Sequence, residues 1–69
     1  MSVQQLGQLI KSRRKALKIT QPHLAELAGV GINSLVKLER GMSNPRWETL
    51  EKIASVLGMK IEMTVNNEP

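Results

Sequence analysis

The sequence predicts an all-α fold of four helices, followed by a single C-terminal β-strand. Apolar residues recur every three or four positions through most of the chain, which is the spacing of one buried helix face. Glycine, proline and capping residues separate these stretches at the points where helices end and begin. Only residues 60–65, KIEMTV, change to the alternation of apolar and polar residues that is typical of a strand.

Length and composition restrict the class of protein. The chain of 69 residues is long enough for one domain, whose small core needs good helix packing or a partner subunit. Cysteine is absent and His23 is the only histidine, so we expect no disulfide, no metal and no other cofactor. No apolar run approaches the roughly 20 residues of a membrane span, and the N-terminal charges follow the apolar residues, so we expect no secretory signal. We therefore expect a cytoplasmic protein with no membrane partner.

The charge is distributed unevenly along the chain. Residues 1–46 carry eight Lys or Arg and two Glu, whereas residues 47–69 carry two Lys and four Glu. The first part is therefore strongly basic, and the second part is mildly acidic. A basic body of this kind indicates a polyanionic partner, although a lysine-rich solvated surface gives the same charge.

The first helix is predicted over 3–17, with Ser2 as its N-cap. It carries the densest basic run of the sequence, KSRRK at 11–15. Its buried stripe consists of apolar residues at helical spacing: Val3, Leu6, Ile10 and Leu17.

The second helix is predicted over 21–28, because Thr20 is a suitable N-cap and Pro22 is tolerated in a first turn. Gly29 ends it, since glycine adopts the left-handed conformation of a sharp turn without strain. The stretch AGVGINSLVKLERG, 28–41, is therefore better explained as a corner followed by a helix than as a phosphate-binding loop.

The third helix is predicted over 32–40, with Leu35 and Leu38 facing the core and Gly41 ending the helix. For the fourth helix, Asn44 is the expected cap and Pro45 lies near its first position. This helix ends at Gly58, and its apolar face follows the helical pattern: Leu50, Ile53, Ala54 and Leu57.

The predicted strand, 60–65, has three alternate apolar residues, Ile61, Met63 and Val65. A lone strand leaves its backbone groups unpaired, so it either frays or pairs with its own copy in a second subunit. We favour pairing, which makes the protein a homodimer. Residues 1–58 then form the main domain, and residues 59–69 form a dimerisation strand and tail.

Three stretches, ITQPHLAELAGV, LVKLERG and NPRWETLEKIASVLG, closely resemble the helix-turn-helix of Cro/C1-type (XRE family) DNA-binding domains. The resemblance extends from about Leu6 to Gly58. It implies a compact, lambda-repressor-like domain of four or five helices, in which the helix at 32–40 enters the major groove. The expected function is sequence-specific binding of double-stranded DNA as a transcriptional repressor. As a homodimer, the protein would recognise an inverted-repeat operator.

Side chains near the start of a recognition helix can reach base edges. Asn33 can pair with adenine, and Lys37 can donate to guanine. Ile32 and Val36 can pack on thymine methyl groups. The predicted base-reading residues are Ile32, Asn33, Ser34, Val36 and Lys37.

Phosphate contacts are expected from cationic and polar residues around this helix. By resemblance to the family, Gln21 and Arg46 occupy phosphate-binding positions. Three basic residues are weaker candidates, for which a solvated surface charge is the alternative: Arg40, Arg13 and Lys11. The resemblance also implies that Arg14 and Glu39 form a structural pair between the first helix and the recognition helix.

The single strand after the helical domain also resembles the HipB-like antitoxins, which are dimers that repress their own operon and bind a HipA-type kinase toxin. That toxin is an alternative partner. A protein-binding adaptor is a further alternative, and duplex DNA binding would distinguish it from a repressor. No set of nucleophile, base and orienting residue can be named in the sequence, so we expect no enzyme.

Overall fold

The computed structural model describes residues 1–66, and it confirms the predicted all-α fold. Its four helices are Val3–Ala16 (α1), Gln21–Ala28 (α2), Ile32–Glu39 (α3) and Trp47–Leu57 (α4). Helix α1 packs against α3 and α4, and α2 packs against the same two helices. The hydrophobic core therefore lies between two pairs of helices, and each of them buries one face.

The core is built from the apolar residues at helical spacing. The largest fully buried side chains come from α2, α3 and α4: Leu24, Leu35, Leu38, Ile53 and Leu57. Ile10 adds a buried side chain from α1. Partly buried residues, including Val3 and Leu6, close the edge of this cluster.

The turn between α2 and α3 has the predicted form. The Oγ1 of Thr20 caps α2 by accepting a hydrogen bond from the His23 N–H at 3.2 Å. Gly29 has the left-handed φ of 68°, and its N–H returns to the Glu26 carbonyl. The Val30 N–H donates a hydrogen bond to the Ala25 carbonyl at 3.0 Å, which caps the C-terminal end of α2.

A close approach between α1 and α3 depends on Gly7, which is buried in the middle of α1. A Cβ atom at this position would collide with the Leu38 carbonyl oxygen and crowd the backbone of Glu39. The absent side chain therefore sets the distance between α1 and α3. Sequence analysis missed this role, although a glycine beside Leu6 inside an amphipathic helix is a signal for it.

Three helix boundaries differ from the prediction, and the smallest difference is at α3, which ends one residue earlier than predicted. Helix α1 ends at Ala16, and Leu17, predicted to lie on the buried stripe, is 41% exposed. Lys18 takes the left-handed φ of 58° directly after Leu17, so the chain turns away there. Helix α4 begins at Trp47 with Arg46 as its N-cap, so the predicted cap at Asn44 was wrong.

The C-terminal segment, residues 59–66, contains no helix and no strand in the described part of the chain. The strand predicted over 60–65 is thus absent here, because a strand needs a neighbour for its backbone hydrogen bonds. Met59 packs against the core, whereas Met63 is 92% exposed and Val65 is 83% exposed. Residues 67–69 of the predicted tail lie outside the described residues.

Candidate nucleic-acid interface

Helix α3 presents four of the five predicted base-reading residues on one exposed surface. Ile32, Asn33, Ser34 and Lys37 are exposed, and Val36 is half-buried beside them. Leu35, on the opposite face, is fully buried. This division follows from 3.6 residues per turn, which gives a helix at the edge of a core an inner and an outer side.

The start of α3 lacks a capping side chain. Its N-cap is Gly31, and no side-chain hydrogen bond is made there; the start of α4 at Arg46 is also uncapped. By contrast, Ser2 caps α1 and Thr20 caps α2. The first N–H groups of α3 and α4 therefore remain available to water or to an anion, which the helix dipole favours.

A polar recess of about 430 Å³ lies between α3 and the start of α4. Lys37 lines it from α3, and Arg46 lines it from the start of α4. Lys37, which was predicted to contact a base, and Arg46, which was predicted to contact a phosphate, thus line the same recess. The rest of its lining is mainly small and polar, and includes Ser34, Ser43, Asn44 and Thr49.

The Arg14–Glu39 pair joins α1 to the end of α3, at the predicted positions. The Arg14 Nε donates to Glu39 Oε2 at 2.7 Å, and Nη2 donates to Oε1 at 2.9 Å. The Nη1 of Arg14 donates to the Ile19 carbonyl at 2.9 Å. Arg14 is 8% exposed and Glu39 is 4% exposed. A two-point contact of this kind fixes the rotation of α3 as well as its distance.

The environment of Arg14 favours its charged form. The hydrogen bond to Glu39 raises the pKa of Arg14, and the negative charge of Glu39 acts in the same direction. Desolvation by burial opposes this effect but does not reverse it. The guanidinium therefore stays charged throughout the neutral pH range.

Gln21, the first residue of α2, extends this network towards the surface. Its Nε2 donates to Glu39 Oε1 at 3.0 Å, and the residue is half-buried. Gln21 was predicted to contact a phosphate, and its contact with Glu39 was not predicted. The two residues are 18 positions apart in the chain, so only the packing of α2 against α3 brings them together.

Arg13 has a partner within the chain. Its Nε donates to the carbonyl of Leu57 at 2.9 Å, at the end of α4 where carbonyl groups lack helical partners. This contact gives Arg13 a helix-capping role, which sequence analysis did not predict. Of the other two weaker phosphate candidates, Arg40 is exposed at the C-cap of α3 and Lys11 is half-buried on α1.

An apolar groove of about 290 Å³ runs between α1, α4 and the C-terminal segment. Its lining includes Leu6, Leu9 and Leu50, with Met59 and Ile61 from the segment. A neighbouring recess shares Ala54, Met59 and Ile61 with the groove and reaches Trp47, which is 54% exposed. The domain thus exposes an apolar groove, with Trp47 in the adjoining recess, at the place where the chain leaves α4.

Residues 10–63 match a protein family that is described as helix-turn-helix. The matched residues include α2, the turn and α3. The chain belongs to the helix-turn-helix family of Cro/C1-type regulators. The resemblance seen in the sequence is therefore confirmed. This family is a class of DNA-binding regulators and is not a class of enzymes.

Two curated relatives of this helix-turn-helix domain are named as regulators. The immunity repressor protein of Bacillus phage phi105 is 41% identical over 63 residues, which are 91% of this chain and 44% of the relative. The HTH-type transcriptional regulator SinR of Bacillus licheniformis is 36% identical over 64 residues, 91% of this chain and 58% of the relative. The chain thus spans about half the length of these relatives.

A solved structure has the same fold. The restriction-modification controller protein C.AhdI from Aeromonas hydrophila is 28% identical, with a TM-score of 0.81. The similarity covers 84% of this helix-turn-helix chain and 88% of that one.

Two other kinds of site are absent from residues 1–66. No cluster of three or more His, Cys, Asp or Glu residues is placed to hold a metal ion there. No helix among these residues is long and apolar enough to span a membrane.

Proposed function

We propose that this chain binds double-stranded DNA in a sequence-specific manner, as a transcriptional repressor, with α3 in the major groove. The observation that carries the proposal is the exposed surface of α3, which presents Asn33 and Lys37 beside a cationic recess. Asn33 has the donor and acceptor that pair with adenine, and Lys37 is a donor suited to guanine. The names of the similar proteins, a repressor, a transcriptional regulator and a controller protein, support the same function.

Phosphate contacts would hold α3 in register with the bases. Arg46 lies at the recess beside Lys37, and the uncapped start of α4 adds backbone donors there. Gln21 lies at the start of α2, while Arg40 and Lys11 are further cationic candidates. Arg13 contributes least, since its Nε–H is already donated to Leu57.

We also propose that the chain acts as a homodimer through its C-terminal surface. Met63 and Val65 are almost fully exposed beside an apolar groove, and a second copy would cover both. Residues 60–65 would then pair with the same residues of the other subunit, which supplies the missing neighbour for a strand. In such a dimer the two recognition helices would read half-sites of an inverted repeat, about 34 Å apart.

Selection of bound fragments from random duplex DNA tests the proposal, because it yields both the half-site and its symmetry. Asn33→Ala and Lys37→Ala should each weaken binding to the selected duplex about tenfold or more, the effect of losing a good base contact. Lys52→Ala, which removes an exposed charge on α4, is the matched control and should bind like the wild type. Equal binding by all four proteins would contradict the proposed role of α3.

The salt dependence of binding tests the phosphate contacts. If each subunit of a dimer meets four or five phosphates, the slope of log K against log salt should be about −7 to −9. A slope near zero would exclude a DNA-binding function. A slope near half this value, with sedimentation of a monomer on the duplex, would exclude the dimer while retaining DNA binding.

A second candidate function is that of a HipB-like antitoxin with a HipA-type kinase as partner. The exposed apolar side chains of Met63 and Val65 favour it, because such side chains can also be covered by a different protein. Co-expression with a HipA-type kinase distinguishes the two functions. Relief of toxicity that depends on Met63 and Val65 would support the antitoxin, and unrelieved toxicity would exclude it for that kinase.

A further inference from the structure

The buried ion pair between α1 and α3 has a third member at the surface. Glu39 accepts hydrogen bonds from Arg14 Nε, from Arg14 Nη2 and from Gln21 Nε2. Arg14 and Glu39 are buried, but Gln21 is half-buried and begins α2. The two Arg14 bonds link Glu39 to α1, so the bond to Gln21 is a separate link, from Glu39 to the start of α2.

We infer that Glu39 is a positioning residue for DNA binding, which holds the Gln21 carboxamide in the orientation that a phosphate requires. The inference rests on the proposed function. A carboxamide has two N–H groups that diverge in one plane. With one of them donated to Glu39 at 3.0 Å, the second is directed away from Glu39 and has a fixed direction before DNA arrives.

The backbone at the start of α2 adds a second donor. Pro22 has no N–H, and the N–H of His23 is donated to Thr20. Among the first three residues of α2, the N–H of Gln21 is thus the one for which the described residues provide no acceptor. Gln21 would offer both its backbone N–H and its side-chain N–H to one phosphate, at the helix end where an anion is favoured.

The charges in the network are consistent with a nearby anion. Glu39 alone would repel a phosphate, but Arg14 neutralises it through two hydrogen bonds. Gln21 is neutral and donates in two directions, so it can bridge Glu39 and a phosphate. The same contact couples the phosphate site of α2 to the end of α3, because Glu39 belongs to α3.

Holding the Gln21 side chain in place before DNA binds reduces the conformational entropy that is lost on binding. A free glutamine side chain loses rotamer freedom when it contacts a ligand, and a side chain that is already held loses less. Because a phosphate carries no sequence information, the effect should be equal on specific and on mixed-sequence duplexes.

The inference is tested by replacing the ion pair with an apolar pair of similar size, Arg14→Met with Glu39→Met. The net charge is unchanged, and such replacements are often neutral or stabilising. Gln21 nevertheless loses its acceptor. The probes are the duplex selected from random sequence and a mixed-sequence duplex of the same length.

Gln21→Ala should weaken binding to both probes about 10- to 100-fold, the effect of a hydrogen bond to a charged group. The double methionine variant should weaken binding by a large part of that factor, and combining it with Gln21→Ala should add little. The inference is overturned if the two methionine substitutions weaken binding by the same factor in the wild-type protein and in the Gln21→Ala protein. Gln8→Ala, on the exposed side of α1, is the control and should bind like the wild type.

NMR of the wild-type protein without DNA provides a second test that needs no variant to fold. The side-chain amide of Gln21 should show a high order parameter and slowed hydrogen exchange, whereas that of exposed Gln8 should be mobile. Equal mobility of the two amides would overturn the inference. Absence of duplex binding by the wild type would instead overturn the proposed function, so the two failures are distinguishable.

Discussion

The two faces of α3 differ sharply in exposure and in the contacts that they make. On the inner face, Leu35 and Leu38 are at most 1% exposed, and Glu39 is held by Arg14. On the outer face, Asn33 and Lys37 are exposed. One helix of eight residues therefore contributes to the core and to the proposed DNA interface at the same time. Stability and base reading should therefore respond to different substitutions, whereas Glu39 serves the core and also holds Gln21.

The largest expected effect comes from the inner face, at the ion pair. Glu39→Ala leaves the buried charge of Arg14 without a partner, which should lower the free energy of unfolding by about 3–5 kcal/mol. Domains are stable by only about 5–15 kcal/mol, so this loss is a large part of the total stability. Urea unfolding followed by circular dichroism measures the change. A loss below about 1 kcal/mol, the usual value for an exposed pair, would show that the pair is solvated.

Leu35→Ala should be the next largest change. The side chain is fully buried, so its removal costs transfer free energy and leaves a cavity, about 2–5 kcal/mol in total. Thermal unfolding of Leu35→Ala and of Ile32→Ala compares the stability lost at the inner face of α3 with that lost at the outer face. Similar losses for both variants would contradict the division of α3 into an inner and an outer face.

Gly7→Ala should destabilise the domain by about 1–3 kcal/mol or more, because the new Cβ must push α3 away at the Leu38 carbonyl. Alanine is the better helix former, so helix propensity alone predicts a gain in stability. Urea unfolding measures the change in the free energy of unfolding. A decrease would show that the clash with α3 dominates, and an increase would show that the higher helix propensity of alanine dominates.

The smallest expected effect on stability comes from the outer face. Ile32→Ala should change the free energy of unfolding by no more than about 0.5 kcal/mol, as is usual for surface positions. Its affinity for the selected duplex should nevertheless fall if Ile32 packs on a thymine methyl group. Replacing that thymine by uracil should weaken the wild type and leave Ile32→Ala unchanged. A wild type insensitive to the methyl group would remove Ile32 from the base-reading set.

Much of the fold and of the interface could be predicted where neighbours in sequence decide the outcome. The positions of α2 and α3 follow from the Thr20 cap and the Gly29 turn, which act within a few residues. The exposed side of α3 follows from helical spacing. The start of α4 could not be predicted as well, because Asn44 and Arg46 both lie where a helix can begin and local preference does not decide between them.

The contacts that tie the interface together depended on packing. Gln21 and Glu39 are 18 residues apart, and Arg13 and Leu57 are 44 residues apart. Gly7 is a poor helix residue by propensity, and its role becomes clear only when α3 lies against it. The strand predicted over 60–65 also depends on more than local sequence. Its alternating pattern is local, but its backbone hydrogen bonds require another strand.

The sequence by itself determined which residues form helices and which side of each helix is apolar, because spacing and capping operate over one or two turns. The tertiary structure alone decided how α1, α2 and α3 meet. It placed Arg14 and Gln21 on the same carboxylate of Glu39. The physical reason is that hydrogen-bond direction depends on where each helix lies in space, and amino-acid spacing carries no information about that position.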